Sequence, residues 1–579
     1  MSHPTRRQFL HTVAAGAVAT GAAAALSGCE FGSFDFLHGV ASGDPLPTRV
    51  ILWTRVSADA AMQETWARLE AAAASSIDAR RSWEQERQVP VSWEIARDRD
   101  FRHVVARGLA LASADSDFTV KVDAGSLQPA TSYHYRFHCL GLASAVGRTR
   151  TLPRGAVEQV RLAVVSCSNY PAGFFNVYAR IAEHDDLDAV LHLGDYLYEY
   201  DAQGYASQQA EQLGRVVEPL TELLALADYR ERHAQYRSDP DAQAMHAALP
   251  MIAVWDDHEF ANDAWTGGAE NHTEATEGPW AVRRAAAMRA YEEWMPIRRP
   301  DPARPERIYR SFDFGDLVSL HMLDTRIIGR DKQLALTDYF GASGFDGAAF
   351  AAAVGNPTRQ LLGAEQTAWL QTQMARSNAL WQVLGQQVLI GRMNVPLPLL
   401  TGTPVSVYAA AAAKAQAGVP LTQQEQALLA QPALPYNLDA WDGYAAARET
   451  VFGFAKALDR NLVALSGDTH NAWANDLADA TGTAVGVEFA TPSVSSPGFE
   501  AIFPDENPLA FASALQQLIG PLVYADTSRR GYLVVSATRS ELQAQWWFVD
   551  GVATRGGGAT LGRTLRTLPG AGQRRIVEA

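Results

Sequence analysis

Hydrophobic and polar positions divide the chain into two regions with different rhythms. From residue 36 to about 154 the apolar runs are short and rich in β-branched and aromatic residues. Arg49–Arg55 and the runs 91–95 and 118–122 read as strands separated by turns. An alanine- and charge-rich stretch, about 60–88, reads as helix inserted between them. After Pro153 the runs become continuous blocks, at 160–165, 189–193, 251–255, 317–323, 381–384 and 461–465. Blocks of this length without alternation suit strands covered on both faces. Amphipathic segments at 174–184, 279–294 and 365–375 read as the helices between them.

The pattern predicts an α/β layered (α+β) domain with two sheets flanked by helices, the late runs 485–489, 532–536 and 543–548 suggesting the second sheet. Residues 201–246 and 398–435 lack such runs and read as helical insertions. In the first region, Leu127 to Phe137, with Tyr133 at its centre, resembles the tyrosine corner of immunoglobulin- or fibronectin-like β-sandwiches, where a Tyr hydroxyl ties a crossover loop to the sheet. The expected organisation is therefore a β-sandwich over 30–154 followed by the layered domain over 155–579.

Composition excludes some functions. With 49 Lys+Arg against 64 Asp+Glu the formal charge is −15, which argues against a nucleic-acid-binding module, since such surfaces need a basic field. The three cysteines, Cys29, Cys139 and Cys167, are too few for a disulfide framework. Cys139 reads as a buried apolar filler. At the N-terminus, Arg6-Arg7 followed by Phe9-Leu10 and the uncharged stretch 13–26 resembles a twin-arginine export signal, too short to span a bilayer. Leu26-Ser27-Gly28-Cys29 resembles a lipobox. Residues 1–29 are thus expected to be a leader, with the twin-arginine machinery as partner. The mature protein would be periplasmic or extracellular, anchored to the membrane if Cys29 is lipidated.

Chemistry gathers at the ends of the apolar runs, where α/β folds place their sites. There stand Ser166-Cys167-Ser168, Gly194-Asp195-Tyr196-Leu197-Tyr198, Asp256-Asp257-His258-Glu259, Asp324-Thr325-Arg326 and Gly467-Asp468-Thr469-His470. Hydrolysing a phosphate ester requires neutralising phosphoryl oxygens while making hydroxide at neutral pH, which two neighbouring metal ions can do. Such a site needs many carboxylate and imidazole ligands converging from separate segments, and these run ends supply them.

Taken one at a time these residues are weaker signals. A lone buried cysteine is usually filler, Gly-Asp commonly makes a turn, and His258 alone could be a hydrogen-bonded core residue. Arg326 could pair with Asp324 on the same strand face or fork a phosphate.

Together they carry a resemblance. Gly194-Asp195-x-x-Tyr198 with Gly467-Asp468-x-His470, joined by Trp255-Asp256-Asp257-His258-Glu259, Leu323-Asp324-Thr325-Arg326, Ala440-Trp441-Asp442-Gly443-Tyr444 and the N-terminal Phe36-Leu-His-Gly-Val-Ala-Ser-Gly-Asp44, resembles the PhoD-like alkaline phosphatase D family of the calcineurin-like metallophosphoesterases. The resemblance implies Fe3+ and Ca2+ gathered by Cys167, Asp195, Tyr198, Asp468 and His470, with Asp257 and Asn262 as further metal ligands. It implies His258 near the leaving group; Arg326, from its own fork chemistry, is the second catalytic candidate. A metal-activated hydroxide would attack phosphorus in a monoester, diester or phospholipid. The competing readings are a non-catalytic exported binding module with a degenerate phosphoesterase domain, a phospholipase D-type phosphodiesterase, and a metal-dependent hydrolase of another ester class.

Overall fold

The computed structural model describes residues 34–59, 62–64, 88–342 and 344–579. The leader 1–29 and all but residue 88 and a short turn of the helix expected at 60–88 lie outside the described residues. The chain forms two units: Met1–Asp35 with Ser57–Arg87, and Phe36–Val56 with Gln88–Ala579. The described part of the first includes a short antiparallel pair, Phe34–Asp35 with Ser57–Ala58. Everything below concerns the second.

That unit contains a ten-stranded and a seven-stranded sheet. In the middle of the first, Gln159–Val165, Ala189–His192 and Pro250–Ala253 run parallel. In the second, Val318–Met322, Trp381–Gln386, Asn461–Ser466 and Ala484–Ala490 run parallel. Alternate side chains divide between two cores, as a period of two requires. Leu162, Val164, Leu191, Ile252 and Val254 face a core shared with Leu320, Met322, Val383, Val463 and Val487 of the other sheet. Ala163, Val165, Val190, Met251 and Ala253 face the helices Asn176–Ala182, Pro240–Ala248 and Trp280–Trp294. The outer face of the second sheet is covered by Gly363–Arg376, Ala445–Ala457 and Pro508–Leu518. Both faces of the parallel strands in the two sheets are buried, which is why the runs read as continuous apolar blocks. The stretches 201–246 and 398–435 include the helices Leu226–Ser238 and Val405–Gln416.

Two assignments differ from the expected arrangement. Of the late runs, only Ala484–Ala490 enters the second sheet. Gly531–Thr538 and Leu542–Val549 return to the first, Gly531–Thr538 antiparallel to Gln159–Val165 and Leu542–Val549 antiparallel to Gly531–Thr538. The N-terminal strands also do not all close on one another. Gly147–Arg150, Ser132–Cys139, Gln88–Ala96 and Val104–Ser113 form a separate sheet, joined by Leu142–Ala143. Val40–Leu46, Arg49–Arg55 and Thr119–Ala124 instead extend the ten-stranded sheet, Val40–Leu46 pairing parallel with Pro250–Ala253. Gly43 permits that contact, because a Cβ there would lie 2.2 Å from the Pro296 carbonyl oxygen and 2.6 Å from that of Met251. The tyrosine corner is present: the Gln128 backbone N–H donates to the Tyr133 hydroxyl at 2.9 Å. Cys139 is a buried thiol next to it.

Candidate metal centre

The parallel strands of the two sheets end side by side, and the loops that follow them carry the polar residues. Backbone at these ends is forced into the left-handed region: Cys167, Asp195, Asp468 and His470 have φ of 62°, 53°, 59° and 58°. Non-glycine residues rarely adopt such angles, and where they do the surroundings must hold them there. The glycines preceding the two aspartates let the loops touch. A Cβ at Gly194 would lie 2.3 Å from Asp256 Cβ, and one at Gly467 would lie 2.8 Å from Ser166 Cβ. The twice-repeated Gly-Asp is therefore a device for close approach of strand ends as well as a turn.

Three overlapping groups of donors result, and within each the ligand atoms lie within 4.8 Å of one another: Cys167, Asp195 and His470; Asp195, Asp257 and His258; Asp256, Asp257 and Asp468. The Tyr198 hydroxyl joins the first, 3.3 Å from Asp195 Oδ2 and 3.2 Å from His470 Nε2. His470 Nδ1 lies 3.0 Å from the Pro497 carbonyl. A proton on Nδ1 satisfies that oxygen and leaves the Nε2 lone pair for the cluster. Burial and the nearby His258 lower the His470 pKa to about 3, so its ring is neutral.

Electrostatically the cluster is short of cations. Burial pushes the Asp195 and Asp256 carboxyls well above the usual range, and Asp257 beside them adds to it. Asp468 is raised to about 7. The Cys167 thiol is likewise pushed well up by burial and by Asp195. Among the described residues, Asp195 Oδ1, Asp256 Oδ2 and Asp257 Oδ1 are buried with no hydrogen-bond partner. Orphaned carboxylate oxygens beside a thiol and an imidazole nitrogen are what a metal site presents, because a cation can stand in for the protons that burial otherwise holds on these groups. The residues fit one.

His258 stands at the edge of this cluster. Its Nδ1 is 2.7 Å from Glu199 Oε2, and its ring lies 4.2 Å, centroid to centroid, from that of Tyr198. Burial opposes its charge, but Asp257, Glu199 and Asp195 together hold its pKa well above the ordinary imidazole value.

One expected site residue, Arg326, is placed differently, and a second, Asn262, has its two nitrogens engaged. The Arg326 guanidinium is fully buried and occupied by carboxylates: it bonds Asp256, reaches Asp439 at 2.8 Å and meets Asp468 at 3.4 Å. It orders the cluster, and no face of it is open to fork a phosphate. Asn262 donates its backbone N–H to Glu199 Oε1 at 2.7 Å and its Nδ2 to Glu270 at 3.2 Å. Its contacts brace the partner of His258.

Three residues escaped the sequence reading, and a fourth, Glu259, stood in it only as a carboxylate flanking His258. Glu199 and Asp439 are the buried anions of His258 and Arg326. Glu259 accepts the backbone N–H groups of Asp195 at 3.0 Å and Asp256 at 2.7 Å, clamping two strand ends together. Tyr205 stacks on Tyr198 and His470 and reaches His470 Nδ1 at 3.2 Å. Only the adjacency of Glu199 to Tyr198 and of Glu259 to His258 hinted at two of them.

A family model described as PhoD-like phosphatase matches residues 162–546, and one described as PhoD-like phosphatase, N-terminal domain, matches 21–153. The chain belongs to the PhoD-like phosphatase family. It is 36% identical over 479 residues to alkaline phosphatase D of Bacillus subtilis (strain 168), an alignment covering 81% of this chain and 71% of that one. Among solved structures, that of PhoD superposes with a TM-score of 0.73 at 31% identity, over 95% of this chain and 94% of the other. In this PhoD-like chain the first family segment spans the strand ends from Cys167 to His470, so the donor groups all lie inside it. Among the described residues, no helix is long and apolar enough to cross a membrane.

Proposed function

We propose that this PhoD-like phosphatase is an exported, metal-dependent hydrolase of phosphoric monoesters or diesters. The observation that carries the reading is the convergence of Cys167, Asp195, Tyr198 and His470 on one side and Asp256, Asp257 and Asp468 on the other, with buried carboxylate oxygens left unpartnered between them. Thiolate and phenolate suit a trivalent iron, and the carboxylate-only group suits calcium. Bound there, the ions would neutralise phosphoryl oxygens and bring the pKa of water down towards neutrality.

The chain's own residues then have distinct work. Glu199 occupies His258 Nδ1, so the proton available to a leaving alcohol is the one on Nε2. Arg326 and Glu259 hold the carboxylates in register, and Pro497 with Tyr205 fixes the His470 ring. No serine nucleophile is needed: Ser168 Oγ is buried and donates to the Tyr196 carbonyl at 2.8 Å. We also propose a leader through Cys29, an N-terminal domain over 30–154 and a catalytic domain over 155–579, supported by family segments that end at 153 and begin at 162.

The test is one purified sample assayed on a monoester, a diester and a phospholipid, with metal analysis of the same protein. Hydrolysis tracking bound iron and calcium is the expected result. Ligand binding without turnover on any of the three would make the chain a binding module.

A further inference from the structure

Beside the metal centre an apolar cleft of about 250 Å³ opens between the second sheet and its helices. Its inner wall is built from the loop that carries Asp468 and His470. Trp473 follows His470 on the strand Ala472–Ala478, and its indole Nε1 donates to Thr469 Oγ1, the side chain between the two metal-site residues. The Tyr436 hydroxyl meets the same Thr469 side chain and faces Asp468. Phe499 donates its backbone N–H to Asn471 at 3.2 Å and sits two residues beyond Pro497, the partner of His470. The three rings form one surface, Tyr436 stacked on Trp473 at 6.4 Å and Phe499 edge-on to Trp473 at 5.9 Å. Phe511 and Leu515 close the far side, and Ile502 at the rim is 65% exposed.

We propose that this cleft seats the apolar organic group of the phosphate ester, making Tyr436, Trp473 and Phe499 the specificity wall of the enzyme. The inference rests on the phosphoesterase reading above. Its occupant follows from proximity: Thr469, which the Trp473 indole holds, stands in the chain between Asp468 and His470 of the donor groups, and the wall hanging from that loop is almost wholly carbon. An alkyl or aryl group placed there leaves water, whereas a sugar or glycerol group would strand its hydroxyls against Trp473 and Phe511. A cleft of this size accommodates several methylenes.

A ladder of 4-nitrophenyl alkyl phosphodiesters, methyl to octyl and each below its micelle concentration, tests the proposal on the metal-loaded full chain. At about 0.8 kcal/mol per buried methylene, kcat/KM should rise about threefold or more per carbon until the cleft is full. Ile502→Glu, a change at an exposed position, should cut the octyl-to-methyl ratio of kcat/KM by at least tenfold. Leu140→Glu, equally exposed in the turn between Ser132–Cys139 and Leu142–Ala143, should leave that ratio unchanged. A flat wild-type ladder with good methyl-ester turnover would overturn the cleft assignment while leaving the phosphoesterase reading intact, and would mean that another chain segment or a second copy covers the cleft. Absence of turnover on every ester would remove both.

Discussion

Glu199 Oε2 and His258 Nδ1 are 2.7 Å apart in a pocket where the carboxylate is wholly buried and the imidazole nearly so. The pair is positioned so that the ring keeps its charge and one outward proton. His258→Asn should therefore lower kcat by about 10²–10⁴ for esters of poor leaving groups, the usual worth of a general acid. It should do much less for 4-nitrophenyl esters, whose leaving group needs no proton. Glu199→Gln should fall between. Equal losses across a leaving-group series would show that His258 has some other role.

The donor groups predict what each variant loses. Cys167→Ser should lose or shift any ligand-to-metal absorption and lower bound iron, while Asp468→Asn and His470→Ala should cost activity by orders of magnitude with the fold retained. Calcium chelation should abolish most activity and readdition restore it. Iron content, absorbance and turnover, each normalised to folded protein, check this; near-normal turnover in Asp468→Asn would dissolve the metal-site assignment.

Asp44 and Arg310 form a buried two-armed ion pair at 2.6 and 2.7 Å, tying the N-terminal strand Val40–Leu46 to the edge of the second sheet. Removing one partner leaves the other charge buried alone. Asp44→Ala or Arg310→Ala should destabilise by about 3–5 kcal/mol in urea unfolding, and the double variant should cost less than the sum of the two.

Acid should weaken the fold through histidines buried in neutral form. Burial, with Arg237 nearby, lowers His233 to about 3, and burial with Arg55 lowers His38 to about 3. Both rings pack on Trp294. Below pH 6.5 the unfolded chain takes up these protons and the folded chain does not. The contribution of these two rings should then be flat above that pH and fall as pH drops towards 3, by about 1.4 kcal/mol per pH unit for each ring. His233→Phe keeps the stack and should flatten the slope by one such increment.

Export is tested by the leader alone. With Arg6 and Arg7 both replaced by Lys, active enzyme should accumulate in the cytoplasm, and Cys29→Ala should move the protein from the membrane to the soluble fraction. Unchanged fractionation of either variant would overturn the corresponding assignment.

How much of this was legible beforehand depended on the range over which each signal acts. The buried strands announced themselves because a strand covered on both faces must be apolar at every position, as in Gln159–Val165 and Asn461–Ser466. The residues just past those strands, Cys167, Asp195, Asp257, Asp468 and His470, were legible because strand ends in layered sheets are brought to one edge. Sequence alone thus determined the class of fold and the family, and it singled out most of the donors that the fold brings within 4.8 Å of one another.

Tertiary structure decided what those signals leave open. Periodicity says that a strand is buried but not beside which neighbour. So Val40–Leu46 could join Pro250–Ala253, and Gly531–Thr538 could return to Gln159–Val165, without any local mark. Nor does a charged residue name its partner. Whether Arg326 meets phosphate or Asp256 and Asp439 is set by segments some 70 to 110 residues away in the chain. The cleft beside the Thr469 loop exists only because helices after residue 397 and after residue 498 close over one sheet, a juxtaposition with no period in the sequence to betray it.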